Sequence, residues 1–141
     1  MNVNIKRTHP DAVIPRYAKS GDAGMDMVAV AMTETEIYVE YDLGVAFEIP
    51  EGFVGYIFPR SSISKYHLDL ANSVGVVDSG YRGNVTARFK KTKDSPYAKA
   101  YNVGDRVCQI IIMPVPHVRF VEVGELGETE RGIGGYGSSG T

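Results

Sequence analysis

An all-β domain is the fold class this sequence predicts, and three observations carry that reading. Apolar residues alternate or arrive in short bursts instead of recurring at helical spacing. Turn residues separate the bursts at short intervals, as in Pro50-Glu51-Gly52, Asp78-Ser79-Gly80 and Asn102-Val103-Gly104-Asp105. Only Ser61–Tyr66 offers a helical turn, and it is short. Many short strands at such spacing indicate a sandwich, jelly roll or barrel.

Taken in order, Asn2–Lys6 alternates through Val3 and Ile5, and Met25–Ala31 is apolar apart from Asp26. Glu36–Glu40 and Val45–Ile49 follow, the second running into the Pro50-Glu51-Gly52 turn. Phe53–Phe58 stops at Pro59, and Val74–Val77 stops at Asp78. Asn84–Phe89 alternates again, Arg106–Met113 is the most apolar stretch, and Val118–Val123 completes the set. Each is a strand by pattern.

With 141 residues the chain forms one domain large enough for a single core. A hydrophobic share of 43% against 23% charged describes a soluble globular protein. The stretch Val107–Val115 is broken by Gln109 and Pro114 and is too short to span a bilayer. The first ten residues hold no apolar signal core, and the single Cys108 has no disulfide partner, which fits a reducing cytoplasm. Net charge −2 argues against a broad nucleic-acid surface, although a few clustered arginines can still hold a small polyanion.

Five stretches have chemistry to offer. In "NSVGVVDSGYRGN", residues 72–84, an apolar run ends abruptly at Asp78. That pattern describes either an Asp capping its own turn or a carboxylate fixed at a pocket mouth as a general base towards water. Asn72 then becomes a reader of a polar ring edge, because its amide both donates and accepts. In "PRSSISKYH", residues 59–67, Arg60, Ser61 and Ser62 suit phosphate oxygens, or the serines simply cap a short helix. Asp26, flanked by Met25 and Met27, is either a solvent-facing charge or a carboxylate aimed at a hydrated Mg²⁺. Gln109 either lies on the exposed face of its strand or donates to a ligand oxygen. Cys108 reads as a small core residue, and His9, His67 and His117 lack metal-ligand spacing. The final stretch, "RGIGGYGSSG" at 131–140, is a loose tail or a phosphate-wrapping arm in which Tyr136 stacks on a base.

Together and in order, "AGMD" at 23–26, "PRSS" at 59–62, "GVVDSGYRG" at 75–83, "RVCQIIIMP" at 106–114 and the terminal stretch resemble the five motifs of the trimeric dUTPases (dUTP diphosphatases). Tyr136 stands where that family usually has Phe, and Ser139 where Thr is common; ring and hydroxyl are both kept. The resemblance implies a jelly-roll core over residues 1–127 and a flexible arm over 128–141. It implies a homotrimer with sites shared between subunits, in the cytoplasm or, for a viral chain, the host cytoplasm; charge and hydropathy give the chain no nucleic-acid or membrane partner. It further implies Mg²⁺-dependent hydrolysis of dUTP to dUMP and pyrophosphate, which keeps uracil out of DNA and supplies dUMP for dTMP synthesis. By that likeness Asp78 activates water, and Asp26 holds Mg²⁺ through water. Arg60, Ser61, Ser62 and Gln109 contact phosphates. Asn72 with Gly75, Val76 and Val77 reads uracil, and Tyr81 rejects a 2′-OH. Arg131, Tyr136, Gly137, Ser138 and Ser139 close over the nucleotide. A dCTP deaminase of the same fold would need a glutamate between Asn72 and Arg88, where there is none. A non-catalytic nucleotide-sensing module would have no use for Asp78 and the arm.

Overall fold

The computed structural model describes residues 1–93 and 99–135. Its elements are β1 (Asn4–Arg7), β2 (Met25–Val28), β3 (Ala31–Glu34), β4 (Tyr38–Asp42), β5 (Val45–Glu48) and β6 (Phe53–Pro59). A 3₁₀ helix (Ser61–Lys65) follows, then β7 (Leu68–Leu70), β8 (Gly75–Val77), β9 (Thr86–Lys91) and β10 (Arg106–Pro114). One four-stranded sheet runs β2-β10-β6-β8 and the other β3-β4-β9-β7, while β1 and β5 form a separate pair. All pairings are antiparallel. This is the jelly-roll architecture the alternation predicts.

The core lies between the sheets. Inward residues alternate with outward ones along β4, where Val39 and Tyr41 are buried, and along β9, where Ala87 and Phe89 are. They meet Met27, Ile57, Val77, Val107 and Ile110 from the other sheet in one cluster. Tyr41 contacts Phe89 edge-on at 5.7 Å, and Tyr101 stacks on Tyr66 at 3.8 Å, which seats the 3₁₀ segment on the core.

Four differences from the sequence pattern have physical causes. Met25–Ala31 is two strands in two sheets: Ala29 N–H donates to the Asp105 carbonyl and Val30 N–H to that of Asp42, so the chain crosses between layers there. The strand expected at Glu36–Glu40 begins at Tyr38, because the Thr35 hydroxyl accepts from Tyr38 N–H at 3.1 Å and holds residues 35–38 in a turn. Leu68–Leu70 forms a strand too short for its alternation to stand out. Val118–Val123 forms none: with no strand edge alongside it, Val118, Phe120, Val121 and Val123 are exposed. Its alternation is sound, but a strand needs a hydrogen-bonding partner.

One irregularity matters for the site. The register of β10 against β2 shifts between Arg106 and Cys108, leaving Val107 as an extra residue, and Val107 and Cys108 are both fully buried. Beyond this bulge Gln109 lies opposite Asp26 on one side and Phe58 on the other.

Candidate active site

Motif residues gather in two places. The first is a cavity of about 480 Å³ lined by Asn72, Gly75, Val76, Val77, Asp78 and Tyr81, with Glu40, Thr86 and Arg88 from the other sheet. That volume suits a small ligand. β8 forms its wall. It is the last strand of its sheet, pairing only with β6 through Gly55↔Val77, Tyr56↔Val76 and Ile57↔Gly75. An edge strand keeps one row of backbone N–H and C=O groups unpaired, in position to meet a hydrogen-bonding ring edge. Gly75 is required by the packing: a Cβ there would stand 2.9 Å from Ile57 Cβ and 3.5 Å from the Asn72 amide nitrogen. Asn72 is held by a tight turn in which Ser73 adopts φ 62°, Ser73 N–H donates to Leu70 and Val74 N–H donates to Asn72. A left-handed serine costs about 1–2 kcal/mol. The turn therefore directs Asn72 at some expense.

Asp78 follows β8 directly and is exposed. Its backbone carbonyl accepts from Tyr81 N–H, while no hydrogen bond from the described residues reaches its carboxylate. The carboxylate therefore does not cap its own turn. Arg82 closes the loop instead, donating to the Ser79 carbonyl at 2.6 Å and the Tyr81 carbonyl at 3.1 Å.

The second place is an ionic cluster across β2, β10 and the end of β6. The half-buried Asp26 carboxylate accepts from Arg60 Nε at 2.6 Å and from Arg106 Nη1 at 3.0 Å. It is not a charge standing alone against solvent; it balances two guanidinium groups. Arg60 also donates through Nη1 to the Ser62 hydroxyl at 3.2 Å and the Arg106 carbonyl at 3.3 Å, and through Nη2 to Asp26 at 3.4 Å. With four of five N–H groups engaged, Arg60 mainly fixes the shape of the turn and keeps one donor for an anion. The serines do not cap the 3₁₀ helix: its first residue is preceded by Arg60, and no side chain caps it. Gln109 Nε2 donates to the Pro59 carbonyl at 3.0 Å, which binds β10 to the same turn.

Beneath the cluster, burial pushes the Cys108 thiol up to about 12, with the Asp26 charge adding to the rise and Arg60 opposing it. Such a thiol is inert, in keeping with its core role. Arg131 is exposed and donates to the Gly134 carbonyl at 2.9 Å within its own turn. Tyr136, Gly137, Ser138 and Ser139 lie outside the described residues.

The cavity lining thus unites Asn72, Gly75, Val76, Val77, Asp78 and Tyr81, but includes none of Asp26, Arg60, Ser61, Ser62, Gln109 or Arg131. Sequence reasoning missed Arg106, whose only signal was a cation opening the β10 pattern. It also missed Asn84, whose signal was a polar side chain closing the Tyr81-Arg82-Gly83 turn. Among the described residues no helix is long and apolar enough to cross a membrane.

Comparison with known proteins agrees with this geometry. A family model described as dUTPase matches residues 10–140. The deoxyuridine 5′-triphosphate nucleotidohydrolase of Thermobifida fusca is 39% identical over 144 residues, covering 99% of this chain and 79% of the relative. That of Leifsonia xyli is 40% identical, covering 90% and 85%. The solved dUTPase of Staphylococcus bacteriophage 80alpha, with dUpNHpp, matches with TM-score 0.84 at 25% identity over 99% of both chains. The match to the family model over nearly the whole chain, with relatives 39% and 40% identical, shows the family: this chain is a hydrolase of the dUTPase family.

Proposed function

We propose that this chain hydrolyses dUTP to dUMP and pyrophosphate, with Mg²⁺ as cofactor. The observation that carries the reading is the Asp78 carboxylate, unengaged among the described residues, at the mouth of a cavity walled by an edge strand. The outward backbone groups of Gly75–Val77 and the amide of Asn72 pair with the uracil edge, and rejection of thymine would rest on steric exclusion of its methyl group. Asp78 accepts a proton from water as the water oxygen bonds to the α-phosphorus, and the bond from that phosphorus to the β-bridging oxygen breaks. Pyrophosphate leaves. Positioning and charge neutralisation supply the catalysis.

The remaining donor of Arg60, the hydroxyls of Ser61 and Ser62, and Gln109 bind phosphate oxygens. Among the described residues no three His, Cys, Asp or Glu side chains gather as a metal cage. Asp26 nevertheless retains acceptor capacity beside its arginines, which suits an ion bound through its own waters and substrate phosphates. The donor set fits Mg²⁺ held by Asp26 through water, and the ion when bound neutralises triphosphate charge.

A site drawn from more than one copy of the chain would bring the cavity together with the ionic cluster, whose residues its lining does not include. A homotrimer of jelly-roll cores, residues 1–127, supplies those copies. The unpaired alternating stretch Val118–Val123 then finds its partner on a neighbour. The arm, residues 128–141, brings Arg131, Tyr136, Gly137, Ser138 and Ser139 over the nucleotide, where Tyr136 stacks on the base. In the cell the reaction, cytoplasmic by this reading, keeps uracil out of DNA and supplies dUMP.

The test is pyrophosphate release from dUTP, dCTP, dTTP and UTP with Mg²⁺ and then with chelator. Release from dUTP alone, abolished by chelator, is expected; release from dCTP, or none from dUTP, refutes the proposal. Asp78→Asn should bind dUTP with near-normal affinity and lose at least a hundredfold in turnover, as removal of a general base does. Wild-type turnover by that variant would remove Asp78 from its role.

A further inference from the structure

Tyr81 lies on an exposed loop, yet its ring is fixed by two groups that the reaction itself does not use. Its hydroxyl donates to the Asn84 carbonyl at 2.9 Å. Its ring covers Gly83 so closely that a Cβ on that glycine would overlap the Tyr81 hydroxyl and ring, with Cε2 at 2.9 Å. The Asn84 side chain is in turn clamped from both sides. Its Oδ1 accepts from the Thr8 hydroxyl, and its Nδ2 donates to Asp42 Oδ1 at 2.8 Å. The same Asp42 oxygen accepts from Gly44 N–H at 2.7 Å, and Thr8 N–H donates to the Gly44 carbonyl at 2.8 Å. Segments far apart in sequence (the end of β1, the β4–β5 turn and the loop before β9) therefore meet behind one aromatic ring.

We propose that Thr8, Asp42, Gly83 and Asn84 are positioning residues for sugar discrimination, an inference that rests on the dUTP reading above. The chemistry follows from where the Tyr81 proton goes. Because the hydroxyl donates to Asn84, the substrate meets ring carbon and not a polar group. A ribose 2′-OH pressed against that ring gives up water without gaining a partner, and such an unpaired polar group is strongly disfavoured. A deoxyribose loses nothing. Should the ring swing away from Gly83, water re-enters, the 2′-OH is solvated again and the distinction fades. Selectivity against UTP thus depends on the clamp, whereas proton abstraction at Asp78 does not.

The test compares Thr8→Val, Thr8→Ser and Gly83→Ala with the wild-type chain, each first shown to be folded by circular dichroism. kcat/KM is then measured for dUTP and UTP with Mg²⁺. Thr8→Val keeps shape and removes the hydroxyl; it should lower the dUTP-to-UTP ratio about three- to tenfold, the range for one lost hydrogen bond, with kcat for dUTP within about twofold. Thr8→Ser should restore the ratio, which a purely steric role for residue 8 would not produce. Gly83→Ala displaces the ring directly and should lower the ratio by roughly tenfold or more. Folded Thr8→Val and Gly83→Ala variants with the wild-type ratio overturn the inference alone. A wild-type chain that does not hydrolyse dUTP overturns the parent reading, and the inference with it.

Discussion

Gly24→Ala separates binding from stability in this protein. Gly24 adjoins β2 and faces the Gln109 side chain on β10. A Cβ built on Gly24 overlaps Gln109 Oε1 and stands 3.1 Å from Cδ and 3.4 Å from Cβ. The last distance is ordinary contact, so the strands need not separate and the carboxamide must swing away. Gln109 then loses its hydrogen bond to the Pro59 carbonyl, a net cost of about 0.5–1.5 kcal/mol. Removing a glycine from the unfolded chain returns about 0.4–1 kcal/mol where the native backbone suits alanine, and Gly24 is not in the left-handed region. Stability should therefore change by less than about 1 kcal/mol. Substrate binding has no such offset. On the proposed role of Gln109, a displaced carboxamide forfeits a charge-assisted contact of about 1.5–3 kcal/mol, which should raise KM for dUTP roughly 10- to 100-fold. Urea midpoints and steady-state kinetics read the two effects separately. In a double-mutant cycle, Gly24→Ala should add almost nothing to Gln109→Ala, because both act through the same amide. A Gly24→Ala enzyme with KM within twofold of wild type, or fully additive effects, would refute this account of Gln109.

Two further predictions concern charge. Asp26→Asn leaves Arg60 and Arg106 without their shared counter-charge and should destabilise the fold by about 1–3 kcal/mol. The deficit should shrink as salt is raised from about 0.05 to 0.5 M, and an unchanged urea midpoint at both salts would contradict the cluster. Burial raises both Cys108 and Tyr41 to about 12 in the folded state. Both folded values exceed the unfolded ones, so the unfolded chain releases its protons first. Stability is whole below about pH 9, then falls by about 1.4 kcal/mol per pH unit through Cys108, and by as much again through Tyr41 above about pH 10, as pH rises towards 12. Cys108→Ala should hold the urea midpoint flat to about pH 10, where Tyr41 begins to act, and the native thiol should resist thiol reagents at pH 8.

What the sequence disclosed about this fold follows from how far each cause reaches. Alternation is local, so the strands at Asn2, Val45, Phe53, Val74 and Arg106 were legible nearly to their bounds. Ala29–Val30 was not, because the change of sheet is set by carbonyls on Asp105 and Asp42, far away along the chain. Val118–Val123 has the right period, but its outcome depends on an edge that the isolated chain does not provide. The cavity residues from Asn72 to Tyr81 were legible because one hairpin carries them all. By contrast, the pairing of Asp26 with Arg60 and Arg106 depends on strand register, which no single motif encodes. Asn84 was hidden for a related reason: its partners Thr8 and Asp42 precede it by 76 and 42 residues.

The extra residue in β10 has a consequence for how the domain tolerates change. Side chains on a strand take sides by parity, and Arg106 and Gln109, three positions apart, would fall on opposite sides of an unbroken strand. Val107 resets the count. An odd interval becomes an even one, so both polar side chains can lie beside Asp26 while the apolar set downstream stays inside. Deleting Val107 would remove the bulge and leave Arg106 and Gln109 two positions apart on a regular strand, so both would keep their facing, whereas a deletion beyond the bulge, at Ile111 for example, would invert the side chains on one side of the gap. β10 should thus bear a single-codon deletion at the bulge better than one farther along, a pattern that a scan of deletions would reveal as one shallow point beside deep neighbours.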